Sequence, residues 1–439
     1  MADAESGSRL PLRAGLLANN SPFGNRNRKH MSPAELLAAV SYMTDINPDG
    51  CYYHSWRVAL LGQYIASVIS PDIRSNAFYA GLLHDIGAVG SLKHIATYNT
   101  LQLQTNDQYI MEHSQRGEAI INWLPGMMDV AEYVRTHHEW WNGMGFPEGL
   151  SSGEIPIGGQ ILCLADAVDM AGCFTNRISF SRGLHSLAGL TGRAWSSELW
   201  ATFVGSTKDS AFYKSLMDVR TLPKLVSKMC AEISVTGEID NDEGIERILH
   251  VIAAMVDLKD PSTRGHSIRA ARYAKLLAKH MSMSSEDVHM AYRAGLVHDC
   301  GRLGLPSDLV NRTGRFSDKE LDLVRAHAAM TIRAFNCIPD CPDMAALGEI
   351  AGHDHERYDG QGYPDGLAGE KIPQISRILS AVDAFDAMSS LRADRMLSPK
   401  AVVIRLQQNA AKQFDPQVVE AMVDLVNLGG LTEELAIAA

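Results

Sequence analysis

The sequence predicts an all-α protein built of two tandem helical bundles related by internal duplication. Two observations carry that prediction. A set of His and Asp landmarks recurs in one order in both halves of the chain, and the residues around the landmarks follow helical rather than strand periodicity.

The landmarks of the first half are His54, His84-Asp85, His113, His137-His138 and Asp166. Those of the second are His266, His298-Asp299, His327, Asp354-His355 and Asp383. Equivalent positions lie 212, 214, 214, 217 and 217 residues apart. Within each half the Asp of the His-Asp pair precedes the next His by 28 residues, and the second residue of the later pair precedes the last Asp by 28. A duplication with short loop insertions explains such small drift. Any one of these histidines alone would read as a surface or core residue; the shared spacing makes them candidate ligands.

Around the landmarks, Val58, Leu61 and Ile65 fit one apolar helix face, as do Ile248, Val251, Ile252, Met255 and Val256. Period-2 runs of β-branched residues are scarce. Gly and Pro punctuate the helices at Gly143-Met144-Gly145-Phe146-Pro147 and at Gly360-Gln361-Gly362-Tyr363-Pro364. Four segments result: a Ser-, Asn- and Arg-rich tail over 1–30, an N-terminal lobe over 31–234, an acidic polar linker over 235–244 and a C-terminal lobe over 245–439. At 439 residues the chain has room for two such cores.

Composition excludes several function classes. Forty basic against 51 acidic residues give a formal net charge of −11, which argues against nonspecific DNA binding. No window of ~20 residues is free of charge, so no membrane span is expected. Seven scattered cysteines, an odd number, argue against a disulfide scaffold and for a reducing cytoplasm. The pair Cys337 and Cys341 reads as two small residues in a helix-connecting loop.

Neutral imidazoles with carboxylates form a ligand set for Zn, Fe or Mn. An adjacent His-Asp pair lets the His hold one ion while the Asp bridges to a second, and two such ions clamp a phosphodiester. His266, His298-Asp299 and Asp383 resemble the H…HD…D pattern of the HD phosphohydrolase superfamily. The run His355-Glu356-Arg357-Tyr358-Asp359-Gly360-Gln361-Gly362-Tyr363-Pro364 resembles the HHExxDGxGYP signature of its HD-GYP subgroup, as do Asn311-Arg312-Thr313-Gly314, Asp383-Ala384-Phe385-Asp386-Ala387-Met388 and Phe414-Asp415-Pro416. The likeness is close over about 245–427 and looser over about 33–200.

The resemblance implies two HD-domain-like bundles and a centre of two divalent transition metals per active site, Fe or Mn first, with Zn, Ni or Mg as alternatives. It also implies hydrolysis of cyclic di-GMP or 3′,3′-cyclic GMP-AMP in a bacterial cytoplasm. A cyclic-dinucleotide receptor with little turnover is the rival reading, and a nucleotidase a weaker one. Ligands in the second half would be His266, His298, Asp299, His327, Asp354, His355 and Asp383. Asp299 and Arg302 would act in catalysis, with Arg302, Asp359, Gly362, Tyr363 and Arg392 facing substrate. A protein partner could dock at the Gly-Tyr-Pro loop or the N-terminal domain; oligomeric state is left open.

Each half departs from the pattern. Asp354 replaces a His, Arg302 replaces a phosphate-holding Lys and can serve with a bidentate fork. Ser262 stands where three-metal members carry a Glu, so a third metal is not expected. The first half keeps a full ligand set in His54, His84, Asp85, His113, His137, His138 and Asp166, but has Ala88 in place of the Lys and Phe146 in place of the Tyr. The segment after Asp166 keeps little of the family's continuation, and nothing resembling Phe-Asp-Pro follows. On substrate elements the C-terminal lobe is the favoured catalyst, and the N-terminal lobe a metal-stabilised regulatory partner.

Overall fold

The computed structural model describes residues 31–48, 50–91, 107–233, 239–312, 314–390 and 396–429. The tail over 1–30, part of the linker, and Arg392 lie outside them. Among the described residues there are eighteen helices of eight or more residues and one two-stranded hairpin.

The N-terminal lobe opens with α1 (Pro33–Asp45), the hairpin β1 (Ile46–Asn47) and β2 (Gly50–Cys51), α2 (His54–Ile69) and α3 (Arg74–Leu83). It continues through α4 (His113–Ile121), α5 (Met128–Thr136), α6 (Ile157–Met170), α7 (Arg177–Ala188) and α8 (Ser197–Ser206). Two helices, α9 (Ser210–Met217) and α10 (Leu222–Glu232), lead to the second lobe. That lobe repeats the order as α11 (Asp242–Lys259), α12 (His266–His280), α13 (Ser285–Val297), α14 (Asp318–Phe335), α15 (Pro342–Gly352), α16 (Gln374–Ser389), α17 (Pro399–Gln408) and α18 (Pro416–Asn427).

Local chemistry sets the helix starts. Ser32 and Glu35 close a capping box on α1 with Pro33 at its first position, and Ser317 with Glu320 does the same on α14. Asn241 caps α11 and Asp415 caps α18 through their side-chain oxygens.

Each bundle brings its second and third helices together at a glycine. A Cβ on Gly81 would lie 2.4 Å from the Ala59 Cα, and one on Gly295 would lie 2.5 Å from the Ala271 Cα. These close crossings carry the His-Asp pairs at the ends of α3 and α13 toward the starts of α2 and α12, where His54 and His266 are the first helical residues.

The lobes share one continuous hydrophobic core. The hairpin after α1 reaches across to the 3-10 turn Cys300–Gly304, where a Cβ on Gly304 would meet the Ile46 side chain at 2.9 Å. Arg333 on α14 donates to the Asn47 carbonyl at 3.2 Å, and Ser307 donates to the Ser91 carbonyl at 2.5 Å. No described helix is long and apolar enough to cross a membrane. None of the seven cysteines forms a disulfide.

Candidate metal centres

In the C-terminal lobe, helix ends and the middles of α14 and α16 place six side chains in two groups: His266, His298 and Asp383 in one, and Asp299, His327 and His355 in the other. His266 Nε2 lies 3.2 Å from His298 Nε2 and 3.1 Å from Asp383 Oδ1. His355 Nε2 lies 3.1 Å from His327 Nε2. Asp299 spans the groups, with Oδ2 3.6 Å from His298 Nε2 and Oδ1 3.6 Å from His327 Nε2.

The proton inventory shows what these groups fit. His298 Nδ1 donates to the Gly295 carbonyl at 2.9 Å, His327 Nδ1 to the Val324 carbonyl, and His266 Nδ1 to Asp386 Oδ2 at 2.7 Å. A neutral ring whose Nδ1 carries the proton presents a bare lone pair at Nε2. In the His266–His298 pair two such lone pairs face each other at 3.2 Å and repel unless a cation lies among them. Asp299 and Asp354 are buried with neither carboxylate oxygen hydrogen-bonded to any group. Buried, orphaned carboxylates beside bare imidazole nitrogens fit divalent metal ions. Burial, reinforced by the Asp383 and Asp299 charges, pushes the Asp354 carboxyl up to about 8 despite His298. Burial, with His355 and Arg302 adding to it, pushes His327 down to about 3. Asp354 Oδ2 is 3.6 Å from His355 Nε2, which places it at the same centre.

Arg302 projects from the Cys300–Gly304 turn toward this centre. Its Nε lies 2.9 Å from Asp299 Oδ1 as an ion pair angled off the hydrogen-bond axis, and its Nη1 lies 3.5 Å from Asp260 Oδ2. Tyr363 stacks on His355 at 4.9 Å between centroids with 28° between planes. Behind the loop, Glu356 accepts the Asp365 N–H at 2.7 Å.

The N-terminal lobe repeats the arrangement. His54 Nε2 lies 3.1 Å from His84 Nε2 and 3.3 Å from Asp166 Oδ1, and His113 Nε2 lies 3.3 Å from His137 Nε2. Asp85 Oδ2 is 3.2 Å from His84 Nε2, and its Oδ1 is 3.5 Å from His113 Nε2. His138 joins His113 and His137 and stacks on Phe146 at 4.7 Å. Ala88 is buried against Ile110 and offers no donor. The two centres differ in access. The Asp383 side chain is 28% exposed where Asp166 is 13% exposed, so the C-terminal centre is the more open one.

Four positions gain a structural account. The exposed Asp359 pairs with Arg357 at 2.7 Å and accepts the Gln361 N–H at 3.1 Å, so it helps build the turn. Gly362 serves backbone packing, since a Cβ there would lie 2.3 Å from the Arg357 nitrogen. The segment after Asp166 keeps its function in Asp169, which accepts from His54 Nδ1 at 2.7 Å and from Arg57, as Asp386 does from His266 and Arg269. The Phe-Asp-Pro motif has a structural counterpart in Trp195-Ser196-Ser197: Ala410 bridges Phe414 as Thr191 bridges Trp195, and Ser196 caps α8 as Asp415 caps α18. Asp169 and Asp386 were legible as a repeat. Each stands three residues after the last Asp landmark, and Arg57 and Arg269 stand three after the first His.

Comparison with known proteins agrees with the geometry. The HD domain family model matches residues 17–171 and 250–418, most of the chain. The chain is 29% identical over 332 residues to the 3′3′-cGAMP-specific phosphodiesterase 3 of Vibrio cholerae, covering 74% of this chain and 70% of that protein. It is 26% identical over 391 residues to phosphodiesterase 1 of that specificity and organism, covering 84% and 86%. A cyclic di-GMP phosphodiesterase of Pseudomonas aeruginosa is 34% identical over 182 residues, 41% of this chain and 43% of that one. The crystal structure of a cyclic GMP-AMP specific phosphodiesterase of V. cholerae superposes with a TM-score of 0.64 at 22% identity, over 91% of this chain and 99% of that chain. The chain therefore belongs to the HD domain family and carries two tandem copies of the domain, the second with the Gly362-Tyr363-Pro364 signature of the HD-GYP subgroup.

Proposed function

We propose that this chain is a metal-dependent phosphodiesterase that opens a cyclic dinucleotide, 3′,3′-cyclic GMP-AMP or cyclic di-GMP, with the C-terminal lobe as catalyst. The observation that carries the choice of lobe is Arg302 aimed at Asp299 beside an accessible centre; Ala88 holds the matching place in the other lobe. His266, His298, Asp299, His327, Asp354, His355 and Asp383 would hold two divalent transition ions, iron or manganese before zinc, nickel or magnesium. Such ions supply Lewis-acid activation of water and of the scissile phosphate.

The protein's own groups do the rest. Asp386 keeps the His266 proton on Nδ1, so Nε2 stays a lone-pair donor. The backbone carbonyls of Gly295 and Val324 do the same for His298 and His327. Arg302 is fixed at two points and offers its remaining N–H groups where charge grows on the phosphoryl oxygens. The product is a linear dinucleotide, or mononucleotides where a second cut follows. A bacterial cytoplasm is the compartment where such a substrate occurs.

The N-terminal lobe, more closed and without a phosphate donor, is a metal-stabilised support for the catalytic lobe. The test is hydrolysis of both cyclic dinucleotides with Mn or Fe supplied, comparing wild type with Asp299→Ala and Asp85→Ala. Loss confined to Asp299→Ala is expected. Loss confined to Asp85→Ala would move catalysis to the other lobe. Tight binding with no turnover by the wild type would leave a receptor in place of the enzyme.

A further inference from the structure

We infer that the C-terminal lobe holds a nucleobase in a cavity between α16 and the α17–α18 corner, beside the metal centre. The inference rests on the phosphodiesterase reading above and adds the subsite that would read the substrate's base.

The cavity is an open recess of about 420 Å³ lined by residues of α16, α17 and the segment before α18. Its apolar lining includes Ala387, Met388 and Phe414. Ala387 lies one helical turn beyond Asp383, about 6 Å along the axis at ~1.5 Å per residue. Asp383, Ala384 and Ala387 form one partly exposed stripe of α16, flanked by buried Val382 and Phe385. A phosphate at the metal centre thus has, one turn along the same stripe, a recess lined in part by a small residue. That is the separation a ribose spans between a phosphate and its base.

The rim supplies hydrogen-bonding side chains: Arg405, Gln408 and Gln413. A few polar side chains converging on a concave recess can fix the orientation of a small molecule. The particular groups suit a purine. Arg presents paired donors that match the O6 and N7 of guanine, and a Gln amide presents the donor and acceptor that match the N6 and N7 edge of adenine. Half-buried Met388 offers an apolar surface for base packing.

The duplicated lobe provides an internal control. The two corners superpose bond for bond: Lys412 N–H donates to Asn409 O as Arg193 does to Leu190 O, and Ala411 N–H donates to Phe414 O as Gly192 does to Trp195 O. At the positions of Arg405, Gln408 and Gln413 the N-terminal lobe has Ser186, Gly189 and Ala194, and at that of Ala387 it has Met170. The scaffold is kept in both lobes, and the base-reading chemistry is present only in the lobe with Arg302.

The test uses the full-length, Mn-loaded chain with 3′,3′-cyclic GMP-AMP and with bis(p-nitrophenyl) phosphate, a diester without bases. Ala387→Met, Arg405→Ala and Gln413→Ala carry residues that the other lobe has or tolerates, and none touches the core. Each is expected to raise KM for the cyclic dinucleotide about tenfold with kcat changed less than about threefold, so that selectivity over the base-free diester falls about tenfold. Unchanged selectivity in all three variants would overturn the base site and leave the phosphodiesterase standing. A wild type that cleaves the base-free diester but neither binds nor cleaves the cyclic dinucleotide overturns both. If the wild type binds it without cleaving, the enzyme reading fails and the same variants decide the base site by affinity: about tenfold weaker binding supports it, and equal binding overturns it.

Discussion

His266 can offer Nε2 to an ion only while its proton is held on Nδ1, and Asp386 holds it there at 2.7 Å while gripping Arg269 at 2.7 and 2.9 Å. Asp386→Asn keeps the volume and removes the charge. Metal retained by the C-terminal lobe is expected to fall by about 10- to 100-fold in affinity, with activity following. Metal analysis after dialysis checks this, with Asp169→Asn emptying the other lobe instead. A second prediction concerns Lys259, whose side chain is buried at the end of α11. Burial pushes its amine from 10.5 down to about 8, with Asp308 only partly opposing. The folded state therefore binds fewer protons than the unfolded one, and the penalty is fully present below about pH 8 and fades as pH rises to 10.5. Lys259→Met should be more stable than wild type at pH 7 by up to about 3 kcal/mol, and the gap should close by pH 10.5. Urea unfolding at both pH values checks it. The sequence showed the ligand residues through their spacing. It showed Asp386 and Asp169 only as a repeated spacing; that each holds the Nδ1 proton of the first His depends on how the helices cross, which spacing does not give.

The Gly-Tyr-Pro loop acts as one element because its backbone folds onto the residues it serves. A Cβ on Gly362 would strike the Glu356 Cα at 2.5 Å, and Gly145 meets the same obstacle at Glu139 Cα, at 2.6 Å. Glu139 accepts the N–H groups of Glu148, Gly149 and Leu150, and Glu356 accepts that of Asp365. The element thus presses an aromatic ring on a ligand imidazole, Tyr363 on His355 and Phe146 on His138. Gly362→Ala should lower turnover at least about tenfold and reduce Tm, since the clash is with backbone. Tyr363→Phe should stay within about threefold of wild type, because the other lobe keeps the stack without the hydroxyl. Steady-state kinetics on the two variants separates a ring that positions His355 from a hydroxyl that touches substrate. Turn chemistry was legible in the Gly and Pro pattern. That the turn packs back on the histidine was not, since it depends on the path of the loop rather than on residue type.

The duplication was visible in the sequence, but the way the copies join was not, because the joining residues are ordinary apolar ones. Ile46, buried in the hairpin of the N-terminal lobe, fills the space against Gly304, two residues after Arg302. Arg333, six residues after His327 on α14, donates to the neighbouring Asn47 carbonyl. The same hairpin runs into His54, the first ligand of the other centre, and Asp45 before it accepts the Ser55 N–H at 2.8 Å. One short hairpin therefore borders both centres, and the N-terminal lobe forms a wall of the catalytic turn. Ile46→Ala leaves every ligand in place while opening a cavity under Gly304, at a cost of about 2 to 4 kcal/mol. If the lobes act as one body, turnover by the C-terminal lobe should fall about tenfold through looser placement of Arg302, while both centres keep their metal. Unchanged turnover in a destabilised but folded variant would reduce the first lobe to an attachment. Joint loss of metal and turnover would instead place the hairpin's effect on the ligands, so kinetics and metal stoichiometry are measured on the same preparation.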